Sequence, residues 1–143
     1  MRIADVLRTK GSTVATVEPG TTVTELLAAL AEHNIGAMLV LAPDGSLAGI
    51  VSERDVVRRL NEHGASVLGS PVSEIMTSEL FTCRPEEEVD SLTVLMTERR
   101  IRHVPVVDGD RLIGIVSIGD VVKSRIEKLE QDQQQLEAYI TQG

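Results

Sequence analysis

The stretch GIVSERDVVRRL, Gly49 to Leu60, is answered by GIVSIGDVVKSRI, Gly114 to Ile126, and this echo decides how the chain is organised. Gly, Ile, Val, Ser, Asp, Val and Val recur in place, and Arg58 is answered by Lys123. Working outward, Ile3-Ala4-Asp5-Val6-Leu7 corresponds to Val72-Ser73-Glu74-Ile75-Met76, and Val14 to Pro19 corresponds to Leu80 to Pro85. Self-similarity on this scale marks a duplicated structural unit.

Each copy reads strand, helix, strand, strand, helix. Val14 to Val17 is a short apolar run, after which Val23, Leu26, Leu27 and Leu30 recur at helical spacing behind a Thr22 cap. Val89, Leu92, Leu95 and Met96 repeat that spacing in the second copy. Ala37 to Leu41 and Leu47 to Val51 flank the Asp44-Gly45 turn, as Val104 to Val107 and Leu112 to Val116 flank Asp108-Gly109. Val56, Val57 and Leu60, then Val121 and Val122, begin the closing helices. A unit of about 60 residues buries too little apolar surface alone, so the copies are expected to pack into one pseudo-symmetric α/β module of the α+β type. The boundaries are residues 1–63 for the first repeat, 64–71 for a linker, 72–125 for the second repeat and 126–143 for a helical extension. In that extension Val122, Ile126, Leu129, Gln133, Leu136 and Ile140 alternate by four and three, a heptad seam that either meets a second subunit or folds back on its own domain.

Composition narrows the function. The 143 residues carry a formal charge of −8, which opposes DNA, RNA or an anionic membrane, so phosphate recognition requires a local basic cluster. The amino terminus lacks a secretory apolar core and the run Ala37 to Ala42 is too short to span a bilayer, so a cytoplasmic protein is expected. Cys83 is the only cysteine, which excludes an internal disulfide, and its strand-like setting predicts an inert thiol. Aromatic residues make up 1% of the chain, so a bound ring must be held by aliphatic side chains and backbone. An enzyme reading finds little support: Gly114 to Gly119 misses the nucleophile-elbow spacing by one residue, and His33, His63 and His103 show no metal-ligand spacing.

Ser-x-x-Asp before an apolar helical run is first of all a capping box. Three features add a binding role. Each motif lies where a strand turns into a helix, which offers free N–H groups to an anion. Asp can accept from both hydroxyls of a ribose diol, and Ser can donate to a phosphate oxygen. The main local basic excess, Arg99, Arg100, Arg102 and His103, runs into the apolar strand Val104 to Val107; a solvated helix face explains Arg99 but not Arg102 and His103.

These motifs resemble a tandem pair of CBS domains, the cystathionine-β-synthase-type repeat whose pair is called a Bateman module. The resemblance covers residues 1 to about 125 and rests on ADVL and SEIM, on GAMLV and RHVPVV, and on both Gly-hydrophobic-x-Ser-x-x-Asp motifs; Leu39 stands where the second copy has Pro105. It implies two clefts for adenine nucleotides or related adenosyl ligands, AMP, ADP, ATP or NAD(H), with no required cofactor. It also implies a homodimer reporting to an unidentified effector protein. Carried onto this chain, one cleft takes Ile50, Ser52, Arg54 and Asp55 with Thr77, Phe81, Arg102 and His103. The other takes Ile115, Ser117 and Asp120 with Val14, Ala15, Gly36 and Ala37. The first gathers the positive charge, whereas Gly119, Gly36 and Ala37 occupy the matching places of the second, so phosphorylated nucleotides are expected to prefer the first. A module with empty clefts that works only through its dimerising surfaces is the alternative.

Overall fold

The computed structural model describes residues 1–11 and 13–142. Helix α1 (Ile3–Lys10) opens the first repeat and is followed by β1 (Thr16–Val17), α2 (Val23–His33), β2 (Ala37–Leu41), β3 (Leu47–Ser52) and α3 (Glu53–His63). Two short 3-10 turns, Gly64–Gly69 and Val72–Glu74, lead to α4 (Val89–Arg99), β4 (His103–Asp108), β5 (Arg111–Ser117) and α5 (Ile118–Gln142).

The sheets follow the apolar runs, with one shortening in each copy. Strand β1 pairs parallel to β2 over two residues only, Thr16 with Leu39 and Val17 with Val40, so Val14 and Ala15 lie outside it. In the second copy the run Leu80 to Pro85 is not a strand at all. Cys83 alone bridges Val106, its N–H donating to Pro105 O at 3.0 Å and its carbonyl accepting from Val107 at 2.9 Å. Both hairpins are antiparallel and both slip register at the same place, between Val40 and Leu41 and between Val106 and Val107. Their turns use Gly45 and Gly109 at φ of +86° and +64°, a region open to glycine without steric penalty.

Thr22 caps α2 as expected, in a reciprocal box with Glu25 at 3.2 Å in each direction. Val23, Leu26 and Leu30 of that helix are buried, as are Val89, Leu92 and Met96 of α4, whereas Leu27, Val57 and Val122 face outward. The segment between the repeats is itself part of the core, because Val67 is buried against α2 and α3.

The leading segments exchange partners, which the repeat pattern alone does not reveal. Ile3, Val6 and Leu7 of α1 are buried with Val89, Leu92, Val104, Val116 and Val121 of the second repeat. Val72 and Ile75 are buried with Val23, Leu26, Val40 and Val51 of the first. Backbone bonds fix the exchange: Ile3 donates to Glu87 O and Val89 to Met1 O, while Val23 donates to Ser70 O and Val72 to Thr21 O. Each fully buried aliphatic side chain contributes about 1.5–3 kcal/mol, so the exchanged segments are a principal stabiliser of both halves.

The glycine that opens each GIVS motif is explained by the same exchange. A Cβ at Gly49 would lie 2.8 Å from Met76 Sδ and 2.8 Å from Thr77 O, and one at Gly114 would lie 2.7 Å from Leu7 Cδ2. The strands stay bare there so that the visiting segment can close over them.

The last helix runs unbroken for 25 residues from Ile118. Its apolar seam is open: Val122, Ile126, Leu129, Leu136 and Ile140 are each more than half exposed, so the seam does not fold back on its own domain.

Candidate functional site

Both Ser-x-x-Asp motifs cap their helices. Ser52 is the N-cap of α3: its hydroxyl accepts from Asp55 N–H at 3.3 Å, and Asp55 Oδ2 accepts from Ser52 N–H at 2.8 Å and from the Ser52 hydroxyl at 3.0 Å. At the start of α5 the Ser117 hydroxyl accepts from Asp120 N–H at 3.1 Å, and Asp120 Oδ2 accepts from Ser117 N–H at 2.8 Å. In both motifs all the carboxylate's bonds fall on Oδ2, and among the described residues neither Asp55 Oδ1 nor Asp120 Oδ1 receives one.

In front of Asp55 opens a cleft of about 590 Å³ between the repeats. It is lined by Ile50, Ser52, Arg54, Asp55, Thr77, Phe81, Arg102 and His103, so the structure brings together all eight residues grouped there from sequence. It adds Glu53, Arg58, Glu79 and Arg100, which sequence reasoning did not place in the cleft, and Gly36, which it had placed in the other. Gly36 lies on this side because its carbonyl accepts from Glu53 N–H at 3.0 Å, tying it to the first turn of α3. Four arginines thus face three carboxylates, a local positive excess in a chain of net charge −8. Thr77 is fixed by two backbone bonds with Ile50, at 2.8 and 3.0 Å, a direct result of the segment exchange.

Two basic residues are held in particular ways. Arg99 stacks its guanidinium 5.1 Å from the centre of the Phe81 ring, so it is not simply a solvated helix arginine. Arg100 terminates α4 with a left-handed backbone, φ +54°, the conformation taken by Asn34 at the end of α2. Asn tolerates this region better than Arg, so the cleft holds a residue at some backbone cost.

His103 stands at the start of β4, paired in register with Ser117. Its imidazole is held below the usual histidine range, first by burial, then by repulsion from Lys10 and Arg102, with Asp120 opposing. The ring is therefore predominantly neutral at pH 7.

The second group is arranged differently. Ile115 and Asp120 are bound by Lys10, whose Nζ donates to Ile115 O at 2.6 Å and to Asp120 Oδ2 at 2.6 Å. Burial works to raise the Asp120 pKa, but the bonds from Lys10 and Ser117 outweigh it and hold the carboxyl below its ordinary value. Val14 lines a separate surface groove with Thr16, Leu41 and Asp110; Ala15 is half-buried against the first repeat's core; Ala37 is buried opposite Ser52. Sequence reasoning missed Lys10, and a signal existed: the alignment of Ile3-Ala4-Asp5-Val6-Leu7 on Val72 to Met76 puts Lys10 opposite Glu79.

Cys83 is buried, with its thiol pushed up to about 12 by burial and by Glu87, which makes it unreactive. Among the described residues no cluster of His, Cys, Asp and Glu could hold a metal ion, and no helix is long and apolar enough to cross a membrane.

Comparison with known proteins agrees with this architecture. The CBS domain family profile matches residues 3–62 and 72–127. The chain is similar to a mitochondrial CBS domain-containing protein of Arabidopsis thaliana, 38% identical over 99% of this chain and 72% of that protein. It also resembles a crystallised CBS-domain-containing protein from Agrobacterium tumefaciens, with a TM-score of 0.85 at 43% identity over 87% of this chain and 92% of the other. A third likeness is a CBS domain pair solved in complex with 5′-methylthioadenosine and S-adenosyl-L-methionine, with a TM-score of 0.80 at 27% identity over 90% and 98% of the two chains. Two matched repeats, exchanged leading segments and a cleft between the halves have one explanation: the chain belongs to the CBS-domain family, as a tandem pair.

Proposed function

We propose that this chain is a non-catalytic regulatory sensor that binds an adenine nucleotide, AMP, ADP, ATP or NAD(H), in the Asp55 cleft. The observation that carries the reading is the company Asp55 keeps: a carboxylate with one oxygen free of internal bonds shares a single cleft with Arg54, Arg58, Arg100 and Arg102. The free oxygen suits ribose hydroxyls, and the guanidiniums and the N-terminus of α3 suit phosphate. Ile50 and Phe81 supply apolar surface for the base. The structural neighbour that holds adenosyl ligands supports the ligand class. The positive rim favours a phosphorylated member of that class over the sulfonium of S-adenosylmethionine.

Calorimetric titration with AMP, ADP, ATP, NAD, NADH and S-adenosylmethionine tests the reading. Binding of at least one phosphorylated ligand, weakened much more by Asp55→Ala than by Asp120→Ala, is the expected result. Equal effects of the two substitutions would remove the preference for the first cleft. No binding by any of the six would leave a structural module that works through its surfaces.

One feature favours an interaction role beside the sensing one. The exposed seam of α5, with Gln133 as its polar position, fits a homodimer contact through which cleft occupancy reaches an effector protein. Light scattering should give twice the monomer mass, and truncation after residue 125 should lower it.

A further inference from the structure

The two Asp residues of the repeated motif are not equivalent, and the difference comes from outside either motif. In the first cleft Ile50 exchanges both backbone bonds with Thr77, and Glu79 lies along the wall. At the Ser117–Asp120 motif α1 takes the place of that segment and ends on Lys10, the counterpart of Glu79. Its ammonium bridges Ile115 O and Asp120 Oδ2, at 2.6 Å each, with the Lys10 and Asp120 side chains 29% and 23% exposed. Asp120 Oδ2 already accepts from Ser117 N–H, so one oxygen carries both the cap and the ammonium.

We propose that Lys10 is the residue that selects between the two motifs: its ammonium neutralises the Asp120 carboxylate and weakens it as an acceptor for a ribose diol, so the chain binds one nucleotide, through Asp55. This rests on the reading that the motif Asp is the ribose partner. A neutral diol gains less from a carboxylate already paired with an ammonium than from one that carries only its cap, because the paired charge is the weaker acceptor, and displacing the ammonium would leave Asp120 without its counter-charge. Among the described residues no ammonium or guanidinium bonds Asp55, and the residue at the place equivalent to Lys10 is an acid, Glu79.

The test uses the full chain and AMP as probe. Asp55→Ala disables the first cleft, and affinity at the Asp120 motif is then compared with and without Lys10→Met, which keeps the aliphatic stem. Removing the ammonium should strengthen the remaining binding about tenfold or more. In the wild-type background the stoichiometry should rise from one AMP per chain to two. Lys10→Gln, which keeps a neutral donor for Ile115 O, should behave as Lys10→Met does. Unchanged or weaker binding in both Lys10 variants overturns the proposal, since Lys10 would then be a bystander or a ligand contact. A readout without nucleotide separates this from failure of the binding reading: carboxyl NMR of Asp120 should titrate at higher pH in Lys10→Met than in the wild type. No difference there shows that Lys10 does not hold Asp120, and overturns the proposal even if AMP binds elsewhere.

Discussion

Asp55 and Ser52 hold each other through three hydrogen bonds, all within one turn of chain: the Ser52 N–H and hydroxyl donate to Asp55 Oδ2, and the Asp55 N–H donates to the Ser52 hydroxyl. The cap holds Asp55 Oδ2 and leaves Oδ1 free, so in the proposed role one carboxylate serves the cap with one oxygen and the ligand with the other.

Asp55→Ala should therefore fail in two measurements at once. Loss of the reciprocal cap should lower unfolding stability by about 1 kcal/mol, read by urea denaturation. Loss of a charge-assisted bond should weaken nucleotide binding about tenfold to a hundredfold, read by calorimetry. Lower stability with intact affinity would reduce Asp55 to a cap.

Arg100 should show the opposite sign in the two assays. Asn is accommodated in the left-handed conformation at the equivalent Asn34, so Arg100→Asn should raise stability by about 0.5–1 kcal/mol. The same change removes a cation from the cleft and should weaken phosphate-bearing ligands about threefold to tenfold. A gain in stability with no loss of affinity would show that Arg100 does not reach the ligand.

The two glycines of the GIVS motifs should differ when replaced. At Gly49 a methyl meets the backbone carbonyl of Thr77, which cannot turn aside, and Gly49→Ala should cost about 1–3 kcal/mol. At Gly114 the obstacle is only the far end of the Leu7 side chain. Gly114→Ala should thus be much milder, and equal losses in thermal unfolding would contradict the difference in packing.

Acidification should weaken the fold in two separate windows. His103 has a folded pKa below its ordinary 6.5, so its unfolded form binds the proton first and stability falls as pH drops below that value toward the folded pKa. Asp120 has a folded pKa below 3.8, so its contribution is complete above that value and is lost as pH falls through the folded pKa. His103→Gln should flatten the upper window alone; Lys10→Met should move the lower one to higher pH, because burial then acts on Asp120 without its ammonium, and should narrow the upper one, because Lys10 also repels His103. Denaturant titrations between pH 3 and 8 separate the two.

The grouping of the eight cleft residues came from the resemblance to CBS pairs, and the repeat and the charge pattern singled out some of them independently. Ile50, Ser52, Arg54 and Asp55 come from the echoed motif, and Arg102 and His103 stand out because charge precedes an apolar strand. Glu53, Arg58 and Arg100 were not placed because a helix surface of alternating charges looks solvated until something packs across it. Strand β1 and its counterpart at Cys83 were overextended because two or three apolar residues in a row look alike whether they pair over a strand or at a single bridge.

The sequence by itself determined the duplication, the order of elements, the turns and the caps, all of which depend on residues a few positions apart. The exchange of leading segments was decided only by tertiary structure. An amphipathic segment such as Ile3 to Leu7 specifies an apolar face without specifying which of two similar surfaces it covers; long-range packing chooses between them. That choice carries Lys10 to Asp120 and Thr77 to Ile50, and so makes two nearly identical motifs into two different sites.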